Sequence, residues 1–226
     1  MSVIRENFLR VRERIERAAE RSKRDPKEIK LVAVSKTVEP ARIQEAIEAG
    51  ATLLGENYVQ EAQKKIETMG RPVAWHFIGH LQSNKAKAAV QLFDMVQSLD
   101  SVHLAEELNR RAVQANRVIA VLIEVNLAKE ATKFGTDEER LFTLARKAKE
   151  LDHLSLEGLM TMPPYFDSPE ESRPYFIELR KWQERMEREG IRIKELSMGM
   201  SNDFEIAIEE GATYVRVGTA IFGHRQ

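Results

Sequence analysis

The sequence predicts an α/β fold: one (β/α)8 barrel of the TIM type with an additional N-terminal helix. Segments with strand and helix patterns alternate along the chain, and this alternation is typical of a parallel sheet. About eight such units can be counted, which is the number that closes a barrel. A doubly wound open sheet is the alternative, but it usually has fewer strands, and no G-x-G-x-x-G follows the first predicted strand.

The first 24 residues predict a helix packed on the outside of the fold. Ile4, Phe8, Val11, Ile15 and Ala18 recur at helical spacing and form one apolar stripe. Basic and acidic residues alternate around the rest of the helix surface. This mixture favours a solvated face over a surface that binds nucleic acid.

Strands and helices then follow in order. The predicted strands cover residues 31–35, 52–56, 74–79, 94–99, 118–126, 156–162, 194–199 and 212–218. Helical patterns cover residues 40–50, 57–70, 84–93, 101–116, 137–151, 169–190 and 201–211. Ser201 or Asn202 is the predicted N-cap of the last of these helices. The eighth strand runs into TAIFGHRQ, for which no helix is predicted. Two prolines end the sixth strand and start a long loop, but no linker interrupts the pattern, so we predict a single domain over residues 1–226.

The composition excludes several classes of function. The chain has 226 residues with 35 basic and 36 acidic side chains, and a net charge of −1 provides no general attraction for nucleic acid or anionic membrane. The absence of cysteine excludes disulfides, thiolate metal sites and cysteine nucleophiles. No apolar run approaches the roughly 20 residues that span a bilayer, and the N-terminus has no apolar signal segment. We therefore expect a cytoplasmic protein with no membrane partner.

The first candidate functional residue is Lys36, which follows the buried apolar strand LVAVS. Lysine is rarely found so close to a core, whereas active groups of barrels lie at the C-terminal ends of the strands. Partial burial disfavours the charged ammonium, and the neutral amine is the form that attacks a carbonyl carbon to give a Schiff base. Alternatively, Lys36 extends its charge into water from the strand edge.

An anion site is predicted where the seventh and eighth strands end, in SMGMS and VGT. Their hydroxyls can donate hydrogen bonds, and their glycines admit close approach of the backbone. A phosphate between the loops after strands seven and eight is recurrent in barrels. The candidate residues are Ser197, Gly199, Ser201, Gly218 and Thr219, although such residues also form ordinary turns.

Strand alternation predicts that Arg216 faces the barrel mouth. In TYVRVGT, Tyr214 and Arg216 share one face, while Val215 and Val217 share the other and suit the helical layer. A surface ion pair is the alternative interpretation for Arg216. A covalent lysine, a phosphate site and an inward arginine together describe a site for pyridoxal 5′-phosphate (PLP). An arginine that faces the pyridine nitrogen stays protonated and leaves that nitrogen unprotonated.

Six segments carry a resemblance to a known family. LVAVSKT, LLGENYVQEAQKK, WHFIGHLQSNKAK, EGLMTM, ELSMGMSNDFEIAI and VRVGTAIFG resemble the pyridoxal phosphate homeostasis protein family, over essentially the whole chain. That family resembles the N-terminal barrel of alanine racemase. The resemblance implies that Lys36 holds the cofactor as a Schiff base and that Asn57 lies beside it. It also implies that Ser201, Gly218 and Thr219 bind the phosphate, while Arg216 faces the pyridine nitrogen.

The resemblance implies a PLP-binding protein rather than an enzyme. Its expected role is intracellular vitamin B6 homeostasis, in which PLP is buffered or delivered to PLP-dependent apoenzymes, with effects on amino-acid and keto-acid balance. We expect no catalytic residue and a monomer, because the sequence has no counterpart of the C-terminal racemase domain that supplies a second base and a dimer contact. A weak amino-acid racemase and a cofactor-free Schiff-base aldolase are the alternatives.

Several other polar residues remain open. Tyr58 and Tyr165 are interpreted as packing residues, although either could approach the cofactor from a loop. His76 and His80 have spacing that suits a metal site only on a helix, and HFIGH has the pattern of a strand followed by a turn, so no metal site is predicted. Solvated charges are the default interpretation for Lys129 and Lys133, which could also reach a second anion.

Overall fold

A closed eight-stranded parallel barrel forms the centre of the protein. The computed structural model describes residues 2–128 and 134–223. The strands are β1 (Lys30–Val34), β2 (Leu53–Glu56), β3 (Ala74–Phe77), β4 (Met95–Leu99), β5 (Ile119–Glu124), β6 (Leu154–Met160), β7 (Glu195–Ser197) and β8 (Tyr214–Val217). Each pairs in parallel with the next, and β8 pairs with β1. The predicted (β/α)8 barrel is confirmed.

Helices alternate with these strands on the outside of the barrel. They are α1 (Val3–Arg21), α2 (Pro40–Glu48), α3 (Val59–Met69), α4 (Ala86–Leu92), α5 (Val102–Gln114), α6 (Glu138–Lys149), α7 (Arg173–Arg188), α8 (Phe204–Glu209) and α9 (Thr219–Phe222). One expectation was wrong: β8 is followed by a helix, α9. A helix of four residues is too short to show a helical period in the sequence.

The additional helix α1 closes the helical layer where the last strand meets the first. It contacts α8 and α9 on one side and α2 on the other. Its predicted stripe is buried, and Arg14 reaches Glu205 on α8 at 2.7 Å. Arg24 donates to the carbonyl oxygens of Ile208 and Ala212, both at 2.8 Å. These contacts tie the start of the chain to its last two strand–helix units.

The core has two layers, as strand alternation requires. One set of side chains packs between the barrel and the helices, and it includes Val215 and Val217. A second, smaller set packs inside the barrel: Val32, Leu53, Met95, Leu122, Met160 and Tyr214. Burying one such side chain stabilises the fold by about 1.5–3 kcal/mol. In the described parts of the chain, no helix combines the length and apolarity that spanning a membrane requires.

Candidate functional site

A cavity of about 300 Å³ opens at the C-terminal end of the barrel. Six of the eight sequence-predicted residues line it: Lys36, Asn57, Ser201, Arg216, Gly218 and Thr219. Residues of the loop after β6, among them Met162 and Tyr165, form another wall. Its size falls at the lower end of the range for small-molecule sites. Ser197 and Gly199 are buried behind this surface and are not part of the lining.

Lys36 lies in a turn directly after β1, two residues beyond the last strand residue Val34. The following residue, Thr37, has a φ of 62°. Left-handed backbone is unfavourable for a β-branched side chain, and such strain persists only where the surroundings impose it. The conformation of the lysine turn therefore depends on contacts made by its neighbours.

Those contacts come from a buried cluster that we call the lysine cluster: Lys65, Glu56, Glu61 and Ser35. The Lys65 ammonium donates to the backbone oxygen of Ser35 at 2.6 Å, to Glu56 at 2.8 Å and to Glu61 at 2.5 Å. Ser35 Oγ also donates to Glu56 at 2.6 Å, and the Thr37 amide donates to Glu61 at 2.5 Å. Both residues that flank Lys36 are thus held by one group of charges.

Within the lysine cluster, the charge of Lys65 is shared between two carboxylates. Burial raises the pKa of Glu56, although Lys65 and Ser35 both favour its ionised form. Its second oxygen, Oε2, has no hydrogen-bond partner among the described residues. The desolvation cost of burying this carboxylate is therefore only partly compensated, and Lys65 provides most of the compensation.

Arg216 lies inside the barrel at the floor of the cavity and is only 3% exposed, as strand alternation predicted. Its Nη2 donates to the backbone oxygen of Thr161 at 2.9 Å, and its Nη1 donates to Ser197 Oγ at 2.6 Å. Burial lowers the pKa of Arg216 to about 10, while Glu124 favours the charged form. At neutral pH the guanidinium therefore remains a buried cation.

A string of hydrogen bonds continues from Arg216 across the barrel. Ser197 Oγ donates to Gln97 Oε1 at 2.6 Å, and the Gln97 amide nitrogen lies 2.9 Å from His76 Nδ1. Since the amide nitrogen can only donate, His76 Nδ1 accepts, so the proton of the neutral imidazole lies on Nε2. Burial lowers the pKa of His76 to about 4, which agrees with a neutral ring. We call Arg216, Ser197, Gln97 and His76 the arginine string.

The opposite wall of the cavity consists of Ser201 and the start of α9. Ser201 Oγ accepts hydrogen bonds from the amides of Gly218 and Ala220, both at 3.3 Å. The prediction that Ser201 or Asn202 is the N-cap of the preceding helix was wrong, because α8 starts at Phe204 with Asp203 as its N-cap. Ser201 is instead directed across to the β8–α9 turn, a long-range contact that local sequence cannot reveal.

Two glycines permit the close packing that shapes this region. Gly199 has a φ of 88°, and a Cβ there would lie 2.5 Å from the Cβ of Ala207. A Cβ on Gly79 would lie 2.4 Å from the backbone oxygen of Asn57. Gly199 therefore lets α8 approach the end of β7, and Gly79 lets the end of β3 support Asn57.

The remaining residues singled out in the sequence lie in different places. Tyr58 and Tyr165 are 60% and 76% exposed, so the interpretation of both as packing residues was wrong. His80 lies at the surface, stacks on Phe134 at 3.8 Å and approaches Asp100 at 3.4 Å, whereas His76 faces the barrel interior. Lys129 and Lys133 lie outside the described residues.

Sequence reasoning missed Gln97, Glu124 and Lys65. Gln97 and Glu124 are polar residues at strand positions where alternation points into the barrel, which is a signal the sequence does carry. Lys65 gives no such signal, because a lysine four residues after a glutamate on a helix is ordinarily a surface pair. Its burial follows from the approach of α3 to β2.

Comparisons with known proteins agree with this geometry. Residues 6–226 match the family model for the alanine racemase N-terminal domain. The pyridoxal phosphate homeostasis protein of Aquifex aeolicus is 47% identical over 223 residues, which cover 98% of either chain. The crystal structure of an unknown protein from Bifidobacterium adolescentis is 37% identical, with a TM-score of 0.91, and the match covers 97% of this chain and 94% of that one. PipY of Synechococcus elongatus PCC7942, solved with PLP bound, is 38% identical with a TM-score of 0.83, and the match covers 93% of this chain and all of PipY.

Proposed function

Since the chain belongs to the pyridoxal phosphate homeostasis protein family, we propose that it binds PLP in the cavity at the barrel mouth. The observation that carries this proposal is the joint lining of one cavity by Lys36, Arg216 and the Ser201–Gly218 wall. A 38% identical relative solved with PLP bound supports the same ligand. In this proposal the protein acts in the cytoplasm to keep the PLP pool in balance.

The residues of the cavity fit the functional groups of PLP. When bound, PLP supplies an electrophilic aldehyde. Lys36 would hold the cofactor through its amine, the group that can react with such an aldehyde. The hydroxyls of Ser201 and Thr219 would donate hydrogen bonds to the phosphate, and Gly218 would let the phosphate approach the backbone closely. Arg216, a buried cation held by two hydrogen bonds, would face the pyridine nitrogen, and Asn57 would lie beside the ring.

An absorption experiment tests this assignment. Purified protein incubated with PLP should show a visible band that borohydride removes, and peptide mapping should find the pyridoxyl group on Lys36. Lys36→Ala should lose the band. Lys87→Ala, at an exposed lysine on α4, is the matched control and should keep it. A colourless wild-type protein would contradict the proposal and return attention to a cofactor-free aldolase.

We further propose that bound PLP is carried and delivered rather than used in turnover. The names of the curated relatives describe homeostasis, not catalysis. PLP-loaded protein mixed with a PLP-dependent apoenzyme should activate that enzyme at a rate that rises with the concentration of this protein. A rate that depends only on the free PLP released beforehand would contradict delivery. In solution the protein should have the mass of a monomer, 25.9 kDa.

Weak racemase activity is a second candidate function, because Tyr165 lines the cavity from the loop after β6. Its phenol could act as the second base that racemisation requires. The candidate predicts exchange of the α-proton of amino acids in deuterated water, above the exchange caused by free PLP. Tyr165→Phe should abolish the excess, and Tyr175→Phe on α7 should leave it unchanged.

A further inference from the structure

A second cavity of about 490 Å³ opens beside the first, between the ends of β2, β3 and β5. We call it the side cavity. Asn57 and Met162 line both cavities, so the two adjoin. The floor and walls of the side cavity have a composition that neither the barrel core nor the proposed PLP site explains.

Two residues that carry buried hydrogen-bond acceptors, Glu124 and Asn57, line the side cavity. Glu124, at the end of β5, is 4% exposed, and no hydrogen bond or ion pair from another described residue reaches its carboxylate. Arg216 acts on it only through the longer-range field, and burial raises the pKa of Glu124 to about 7. Asn57 Oδ1 is also buried and has no hydrogen-bond partner in the described chain. A buried carboxylate without an ion-pair partner among the described residues is costly, and a ligand with a cationic N–H donor would offset that cost.

A cation and an apolar surface complete the side cavity. Lys85, just before α4, is partly buried in its wall, and its side chain forms no ion pair within residues 2–128 and 134–223. The second basic residue of the wall, His80, is already near Asp100. Phe77, Phe134 and Met162 supply apolar surface in the same cavity. The side cavity thus offers acceptors, an anion partner and an apolar surface together.

We propose that the side cavity binds an α-amino acid with an apolar side chain. The ammonium group would donate to Glu124 beside Asn57, the carboxylate would pair with Lys85, and the side chain would lie against Phe77 and Met162. The proposal extends the proposed function by giving the protein a second ligand next to PLP. It does not require Lys36 to hold PLP, because the acceptors and Lys85 are present without it.

Three probes separate the contributions of the ligand groups. Norleucine carries both charges, pentylamine lacks the carboxylate, and hexanoate lacks the ammonium. Calorimetric titration of cofactor-free, full-length protein at pH 8 should show saturable binding of norleucine, weaker binding of pentylamine and the weakest binding of hexanoate. If no saturable binding of norleucine is detected at concentrations up to about 10 mM, the proposal is overturned.

Variants locate the binding. Glu124→Gln should weaken norleucine binding at least about tenfold, because a charge-assisted hydrogen bond is replaced by a neutral one. Lys85→Met should reduce norleucine affinity to that of pentylamine, and it keeps the test valid if Glu124→Gln fails to fold. Glu187→Gln, at an exposed position on α7, is the matched control and should bind as the wild type does. Unchanged norleucine affinity in both Glu124→Gln and Lys85→Met would overturn the assignment of this cavity.

The absorption spectrum of the same preparations distinguishes this inference from the proposed function. If the protein takes up PLP but the cofactor-free form binds no norleucine, only the amino-acid site is contradicted. If the cofactor-free form binds norleucine but PLP gives no band, only the PLP proposal is contradicted.

Discussion

The arginine string and the lysine cluster lie on two sides of the turn that carries Lys36, and both contain a buried cation. In the arginine string, Arg216 donates to a hydroxyl and to a backbone carbonyl, both of which are neutral. In the lysine cluster, Lys65 lies within 2.8 Å of two carboxylates. The charge of Lys65 is therefore neutralised inside the protein, whereas the hydrogen-bond partners of Arg216, which lines the cavity, carry no charge.

This difference separates two roles that burial alone does not distinguish. A buried cation with carboxylate partners stabilises the backbone around it, and here it holds the residues on either side of Lys36. A buried cation with neutral partners has an incompletely compensated desolvation cost, which an anionic or electron-rich ligand can offset. The partners of the charge, rather than its burial, indicate a ligand site.

The largest test of this comparison is Lys65→Met. The substitution leaves Glu56 and Glu61 without their cation, so we expect the free energy of unfolding to fall by about 3–5 kcal/mol. Urea denaturation of the cofactor-free protein measures this change. Lys64→Met, at the exposed neighbouring position on α3, should change stability by less than about 0.5 kcal/mol. A similarly small effect for Lys65→Met would remove the distinction between the two regions.

Glu124→Gln tests the carboxylate that the arginine string leaves unpaired. Burial raises the pKa of Glu124 from 4.5 to about 7, so between these values the folded protein binds a proton that the unfolded chain has released. The resulting stabilisation is complete below about pH 4.5 and is lost as the pH rises through 7. Glutamine cannot ionise, so the variant should gain about 3 kcal/mol relative to wild type between pH 4.5 and pH 8.

Urea denaturation of the wild type and of Glu124→Gln, at pH 4.5 and at pH 8, measures that gain in stability. His76 titrates in the opposite sense, because burial lowers its pKa to about 4 and its contribution is lost as the pH falls. It is present in both proteins, so it cancels in the difference. An equal stability difference at the two pH values would show that Glu124 does not titrate as a buried acid.

Arg216→Met tests whether Arg216 contributes to ligand binding more than to stability. In the cofactor-free protein its effect should be less than about 2 kcal/mol in either direction, because an apolar side chain also removes the desolvation cost. PLP affinity should fall about 10- to 100-fold, the equivalent of one charge-assisted hydrogen bond. Absorbance titration measures the affinity. Severe loss of stability with unchanged affinity would assign Arg216 to the same class as Lys65.

The smallest expected effect is that of Thr37→Asn. Asparagine tolerates the left-handed backbone better than a β-branched residue, so the variant should be more stable by about 0.5–1 kcal/mol. Thr52→Asn, at an exposed position before β2, provides a control for the change of side chain alone. A loss of stability at Thr37 would indicate that the threonine side chain, and not the lysine cluster, maintains the turn.

The barrel and much of the site could be predicted from the sequence. Alternation in β8 correctly turned Arg216 inward, and the strand pattern placed Lys36 at the barrel mouth. Features that depend on long-range contacts were missed or wrong. Lys65 is buried because α3 packs onto β2, and Ser201 turns away from its own helix because the amides of Gly218 and Ala220 approach it.

Closure of the barrel between β8 and β1 also has a consequence for the newly made chain. Val32 of β1 is paired with Arg216, so the strand that leads to Lys36 meets this neighbour only when the final strand has been synthesised. A ribosome adds roughly 5–20 residues per second, and a polypeptide that is still attached and lacks β8 has neither Arg216 nor the amides of Gly218 and Ala220. The lining of the proposed PLP site is therefore complete only after translation has passed the last strand, so we expect completed chains, and not nascent ones, to take up the cofactor.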